Sequence, residues 1–112
     1  MSAQQQDILI EQGSTQTILW EIENKTLDVG YTFAAKLRPQ HASASVILSI
    51  TSFTAAKVGP HTHVTTIIPK ATTEALSAPY MGVYDLESTK TSDGSVTREV
   101  EGSFFVTPEA TR

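Results

Sequence analysis

Apolar and polar residues alternate with period two along most of this chain, and each alternating run ends at glycine, proline, asparagine or aspartate. The longest runs lie near the C-terminus. Gly82-Val83-Tyr84-Asp85-Leu86-Glu87 and the stretch from Val96 to Val106 flank Ser92-Asp93-Gly94-Ser95. Alternating runs on either side of an Asp-Gly pair predict a β-hairpin, because glycine accepts positive φ without steric cost. Upstream, Ile8-Leu9-Ile10 within Asp7 to Glu11 predicts a short strand broken by Gln12-Gly13-Ser14. Thr15 to Glu23 sets Ile18, Trp20 and Ile22 on one face and Thr17, Leu19 and Glu21 on the other. Tyr31 to Arg38 sets Phe33, Ala35 and Leu37 together, and Pro39 stops the ladder because it lacks a donor.

Val46 to Thr51 and Thr62 to Ile68 read as further strands, with Ser52 to Pro60 a loop or irregular edge between them. Thr72 to Leu76 reads as a capped single helical turn, too short to stand alone. About seven short strands, one helical turn and frequent Gly and Pro punctuation predict an all-β, antiparallel β-sandwich forming a single domain over residues 1–112. Its expected core is Ile18, Trp20, Phe33, Leu37, Tyr84, Leu86, Val100 and Phe104. Tyr84, two residues before Leu86, resembles the tyrosine corner of immunoglobulin-like sandwiches, with Leu86 where an antibody domain has its second cysteine.

Composition narrows the chemistry. The 112 residues include no cysteine, which excludes disulfides, thiolate–zinc sites and a cysteine nucleophile. A net charge of -4 with scattered basic residues argues against a grip on nucleic acid, which needs lysine and arginine to neutralise phosphates. Met1 to Asp7 carries neither a basic residue nor an apolar run, so no secretory signal is expected. No stretch approaches the ~20 apolar residues that cross a bilayer, so no membrane partner is expected either.

His61-Thr62-His63 puts two imidazoles on one strand face, but a metal ion needs a third ligand and His41 lies in a different loop. No metal and no cofactor are therefore expected. Glu99 and Glu101 share a strand face opposite Arg98 and read as solvated. There is no Gly-x-Ser-x-Gly elbow and no Gly-rich phosphate loop, so the chain does not read as an enzyme. Tyr31, Tyr80 and Phe105 are the candidate platforms for a carbohydrate, and they come from different strands or loops. Leu9, Leu19, Ile47, Val83 and Phe105 all fall on faces that should be wet, and apolar area left outside marks contact with another chain. Leu9, Leu19 and Phe105 are the expected docking face, with Met1 to Gln6 and Pro108 to Arg112 ordering on contact.

The order Ile10-Glu11-Gln12-Gly13-Ser14, Thr17-Ile18-Leu19-Trp20, Leu27-Asp28-Val29-Gly30-Tyr31-Thr32, Ala34-Ala35-Lys36-Leu37-Arg38, Gly82-Val83-Tyr84-Asp85-Leu86-Glu87, Gly94-Ser95-Val96-Thr97-Arg98 and Glu101 to Arg112 resembles the small immunoglobulin-like virion proteins of tailed bacteriophages. The likeness covers nearly the whole chain. Ser43 to Pro60 departs from the family pattern, with Val58-Gly59-Pro60-His61 in place of a Gly-rich turn. The resemblance implies a non-enzymatic virion structural protein, a tail collar, baseplate or fibre-attachment adaptor built as a symmetric homo-oligomer. It implies other virion proteins of tail, fibre or capsid as partners, and a place in virions assembled in the host cytoplasm. A capsid (head) decoration protein and a free-standing ligand- or carbohydrate-binding module are the alternatives.

Overall fold

The computed structural model describes residues 3–40 and 45–108 of the chain. Among these, the strands are β1 (Gln4–Gln5), β2 (Ile8–Glu11), β3 (Gln16–Ile22), β4 (Tyr31–Arg38), β5 (Leu48–Ile50), β6 (Thr54–Val58), β7 (His61–Ile68), β8 (Tyr80–Lys90) and β9 (Val96–Thr107). A short helix, α1 (Lys70–Glu74), lies between β7 and β8. One sheet runs β1-β9-β8-β4-β5 with β2 also paired to β9, and the other runs β3-β7-β6. This is an immunoglobulin-like β-sandwich, with β5 extending the larger sheet beyond β4 as the added strand of variable-type domains does.

Alternation builds the core. The inward positions of both sheets bury Ile18, Trp20, Phe33, Leu37, Tyr84, Leu86, Val100 and Phe104, together with Ile8, Ile10, Val64 and Val106. Phe53, from the segment read as a loop or irregular edge, packs between Trp20 and Phe33 with ring centroids 6.1 and 6.2 Å away. Two buried threonines of β7 tie loops to this core. Thr62 accepts from Leu27 N and donates to Lys25 O, both at 2.8 Å, and Thr66 donates to Ser52 O at 2.8 Å.

Several expectations need correction. Ser52 to Pro60 holds β6, which pairs antiparallel with β7 through a two-residue turn at Gly59-Pro60, where Gly59 has φ 58°. Its small residues leave only Ala55 half-buried, so no apolar alternation announced the strand. β5 is confined to Leu48–Ile50. Ile47 and Val83, expected outside, are half-buried, and Ile47 packs against the core. The helix begins at Lys70 after Pro69, with no side-chain cap. Its Thr73 is buried and donates to Ser14 O at 2.7 Å, fastening the helix to the turn before β3. β1 and β2 pair with β9 in parallel rather than antiparallel, which almost the full length of the chain between them permits. Gln4 and Gln5 are therefore a strand of the free chain and do not wait for a partner; residues 1–2 and 109–112 lie outside the described residues.

Tyr84 is not a tyrosine corner. Its hydroxyl accepts from Trp20 Nε1 at 3.0 Å and donates to the carbonyl of Gln6 at 2.5 Å, so it joins β3, β8 and the start of the chain instead of a residue just upstream. Gly102 makes room for this: a Cβ there would collide with the Gln6 carbonyl, a contact with backbone that no rotamer change can relieve. Burial pushes the Tyr84 phenol up to about 12, with the Trp20 bond acting against the rise and Asp7 adding to it.

Tyr84→Phe keeps the ring but strands the Trp20 N–H and the Gln6 carbonyl, and should cost about 1–3 kcal/mol in urea unfolding. The raised phenol gives a pH signature as well. Below the unfolded tyrosine value of about 10 both states hold the proton, and the advantage of the native neutral form is complete. Above it the unfolded state ionises first, so stability falls as pH rises from about 10 to about 12. Tyr84→Phe should lose that part of the alkaline slope; an unchanged slope would contradict the assignment.

Candidate docking surface

Strand register assembles the first candidate site. Leu9 of β2 lies beside Phe105 of β9, and Phe105 lies beside Met81 of β8, so three apolar side chains form one row across the larger sheet. Their sequence neighbours Ile8, Ile10, Phe104 and Val106 face inward, which obliges the row to face out. Leu9, Phe105 and Met81 are 50%, 37% and 65% exposed. The row borders a shallow depression of about 390 Å³ walled by Pro79 and Tyr80.

Leu19 does not join it. It sits on β3 in the other sheet, opposite Thr65 and diagonal to Ile67, and both apolar side chains are largely exposed at 49% and 62%. The single face expected from Leu9, Leu19 and Phe105 is thus two patches on opposite sides of the sandwich. The cause is topological: the 12–15 turn carries the chain from one sheet to the other, so equal parity on β2 and β3 does not mean one surface. Along the same side, glutamines close the free edge of β3. Gln4 Nε2 donates to Glu21 O at 2.8 Å while its Oε1 accepts from Glu23 N at 2.7 Å, and Gln6 Nε2 donates to Leu19 O at 3.1 Å.

The far end of the hairpin is polar. Register slips between β8 and β9 at Leu86/Glu87, where Glu99 and Val100 stand against a single step of the partner strand. This bulge turns both residues inward and reverses the parity of everything before them. Glu99, expected to be solvated, is 5% exposed; it accepts from Lys25 Nζ at 2.7 Å and from the Ser88 hydroxyl at 2.6 Å. Arg98 is moved to the outer face beside Glu101, 3.3 Å away, and Asp85, 3.5 Å away. At the tip, Asp93 accepts from the Ser95 backbone N–H and hydroxyl, and the backbone bond above all holds its carboxyl below the usual range.

The histidines stay apart in role. His61 Nδ1 accepts from Asn24 N at 3.1 Å, whereas His63 Nε2 meets Glu21 Oε2 at 2.9 Å on the outer face. His41 lies outside the described residues, and no group of three metal-ligating side chains occurs among those described. Tyr80 and Phe105 sit near the start of β8, whereas Tyr31 pairs with Lys90 at its end, so the three aromatics share no platform.

No protein-family model and no curated protein matches the sequence. Among solved structures the chain is similar to the NK cell receptor NKp44, a triggering partner in natural cytotoxicity. The two are 16% identical over 96% of this chain and 100% of that one, with a TM-score of 0.47.

The Lys25–Glu99 pair yields a test of the bulge. Removing one partner of a buried pair costs about 3–5 kcal/mol, and less where solvent reaches it. With Lys25 38% exposed at its side chain, Lys25→Met should cost about 1–3 kcal/mol in chemical denaturation. Adding Glu99→Leu should restore part of that loss, and strictly additive losses would show that the two residues are not coupled.

Proposed function

We propose that this chain is a non-enzymatic structural protein of a tailed-phage virion, a collar, baseplate or fibre-attachment subunit that repeats around a symmetric ring. The observation that carries the reading is the Leu9–Phe105–Met81 row, an apolar stripe on a sheet face that water would otherwise cover. The Glu-Gln-Gly opening, the Tyr-Asp-Leu-Glu strand and the Thr-Pro-Glu-x-Thr-Arg ending support the phage part of the proposal through their resemblance to that family. Placement of the patches supports the ring. Two different apolar patches on opposite sheets suit a head-to-tail contact, in which one surface of a subunit meets another surface of the next, and such contacts close into a ring when the rotation between subunits closes and run on as a filament when it does not. A single self-complementary patch would instead favour a two-fold dimer.

Quantitative mass spectrometry of purified virions tests the assignment. A collar or adaptor should appear at about a dozen copies per particle or fewer, a head decoration protein should track the capsid protein in the hundreds, and absence from virions would refute both. Met81→Glu should leave stability within about 0.5 kcal/mol, since the side chain is 65% exposed, yet prevent incorporation into particles. Val96→Glu, at an equally open position far along the hairpin, should incorporate normally.

A further inference from the structure

We propose, resting on the ring reading above, that the Leu9–Phe105–Met81 row docks on the Leu19–Ile67 patch of a second copy, with Arg38 of one subunit paired to Glu21 of the next. Charge decides the pairing. Arg38 lies on the outer face of β4 opposite Val83, which is two residues from Met81 on β8. Among the described residues it makes no ion pair, and its buried Nε has no hydrogen-bond partner. A guanidinium left unpaired against protein surface is costly, and a carboxylate brought to it by another chain offsets that cost. Asp7, three strands from Arg38 and accepting from Ser103 N at 3.0 Å, is too far away to supply one.

Glu21 is the matching group. It lies two residues from Leu19 on β3, and its side chain is 50% exposed. His63 Nε2 meets its Oε2 at 2.9 Å, and a carboxylate so engaged still has lone pairs to offer. The far corners carry the opposite signs. Glu11 follows Leu9 by two residues on β2, and Lys70 follows Ile67 by three, held only by a loose 3.7 Å contact with Glu74.

Spacing agrees with sign. At about 3.3 Å per residue along a strand and about 4.8 Å between strands, Arg38 and Glu11 are roughly 20 Å apart, and so are Glu21 and Lys70. In both pairs the apolar side chains lie between the charges. Laying unlike charges together sets Phe105 and Met81 over Ile67 and Leu19, with Met81 nearest Leu19. Two-fold pairing of the row with itself can match Arg38 to Glu11, but it leaves Leu19 and Ile67 in water. The unlike contact covers both patches.

A chain without cysteine allows a direct test by disulfide trapping. Full-length Met81→Cys and Leu19→Cys chains, substituted at positions 65% and 49% exposed, are mixed in equal amounts, oxidised with copper phenanthroline and separated by mass. The mixed disulfide should exceed the share that random pairing gives. Arg38→Glu in the Met81→Cys chain should lower its yield roughly tenfold. Adding Glu21→Lys to the Leu19→Cys chain should restore the yield against Arg38→Glu, a rescue that a misfolded chain does not give. Arg38→Gln, closer in shape to arginine, should lower the yield severalfold and keeps the test open where the reversal disturbs the fold. The proposal is overturned by a mixed product no more abundant than random, by a preference for like-with-like disulfides, by yields indifferent to both Arg38 substitutions, or by the lack of rescue in a folded Arg38→Glu chain. Failure here leaves the virion assignment standing on copy number, whereas absence from virions leaves a trapped contact intact, so the two readings fail separately.

Discussion

The hydroxyl of Tyr84 is where the two sheets and the start of the chain are held to one another. Antibody domains join the strands equivalent to β3 and β8 by a disulfide, and this chain has no cysteine with which to do so. A hydrogen bond from Trp20 spans the same gap, and a second bond continues it to Gln6. Such bonds contribute about 1 kcal/mol each, less than the 2–4 kcal/mol of a disulfide. Packing makes up the difference. A buried aromatic removes 150–250 Å² from water, worth roughly 4–6 kcal/mol at 25 cal/mol per Å², and Trp20 is fully enclosed with Tyr84 and Phe53 against it. The hydrogen bonds therefore set geometry while the rings supply most of the free energy. Gly102 and the inward carbonyl of Gln6 follow as requirements, since the hydroxyl needs an acceptor inside the sandwich and the acceptor needs space.

β9 then divides the molecule into two chemically different ends. After the bulge its residues alternate regularly toward the apolar row, so Phe104 and Val106 line the core while Phe105 is left outside. Before the bulge the same strand turns a carboxylate inward and an arginine outward. One irregularity of a single residue thus produces both the polar floor at Glu99 and the charged outer patch of Arg98, Glu101 and Asp85. Neither feature needs its own element of structure.

What the sequence made legible follows from this. Wherever a strand is regular and has one buried face, parity alone places its side chains, and β3, β4 and β8 as far as Leu86 bury the residues that alternation selects. The hairpin tip was legible too, because Asp93 and Gly94 carry the turn chemistry directly. Parity failed at Glu99, since nothing local marks a bulge, and with it Arg98 was assigned to the wrong face. It also failed at β6, whose Ala and Thr side chains carry too little hydrophobic contrast, and at Gln4–Gln5, a strand held by backbone pairing and amide side chains without any apolar signal. For the docking surface, Leu9 and Phe105 could be selected as outward residues, but Met81 lay just before the run that was read, and the separation of Leu19 depended on which sheet each strand joins.

The modest size of the apolar row bears on how the proposed assembly would hold. A stable interface between free proteins buries about 1,000 Å² or more, and a stripe of three side chains that are already 50%, 37% and 65% exposed offers only part of that. The second patch, at Leu19 and Ile67, is smaller still. Contacts of this kind gain strength by closure, because the last subunit of a ring makes two contacts for the loss of one set of translational freedoms, and neighbours already held nearby raise the effective concentration of each contact. Under the proposed function, the ring is then the stable species and isolated pairs of subunits are weak. Small patches serve that arrangement better than large ones, since a subunit with strongly adhesive faces would also associate away from its place in the particle.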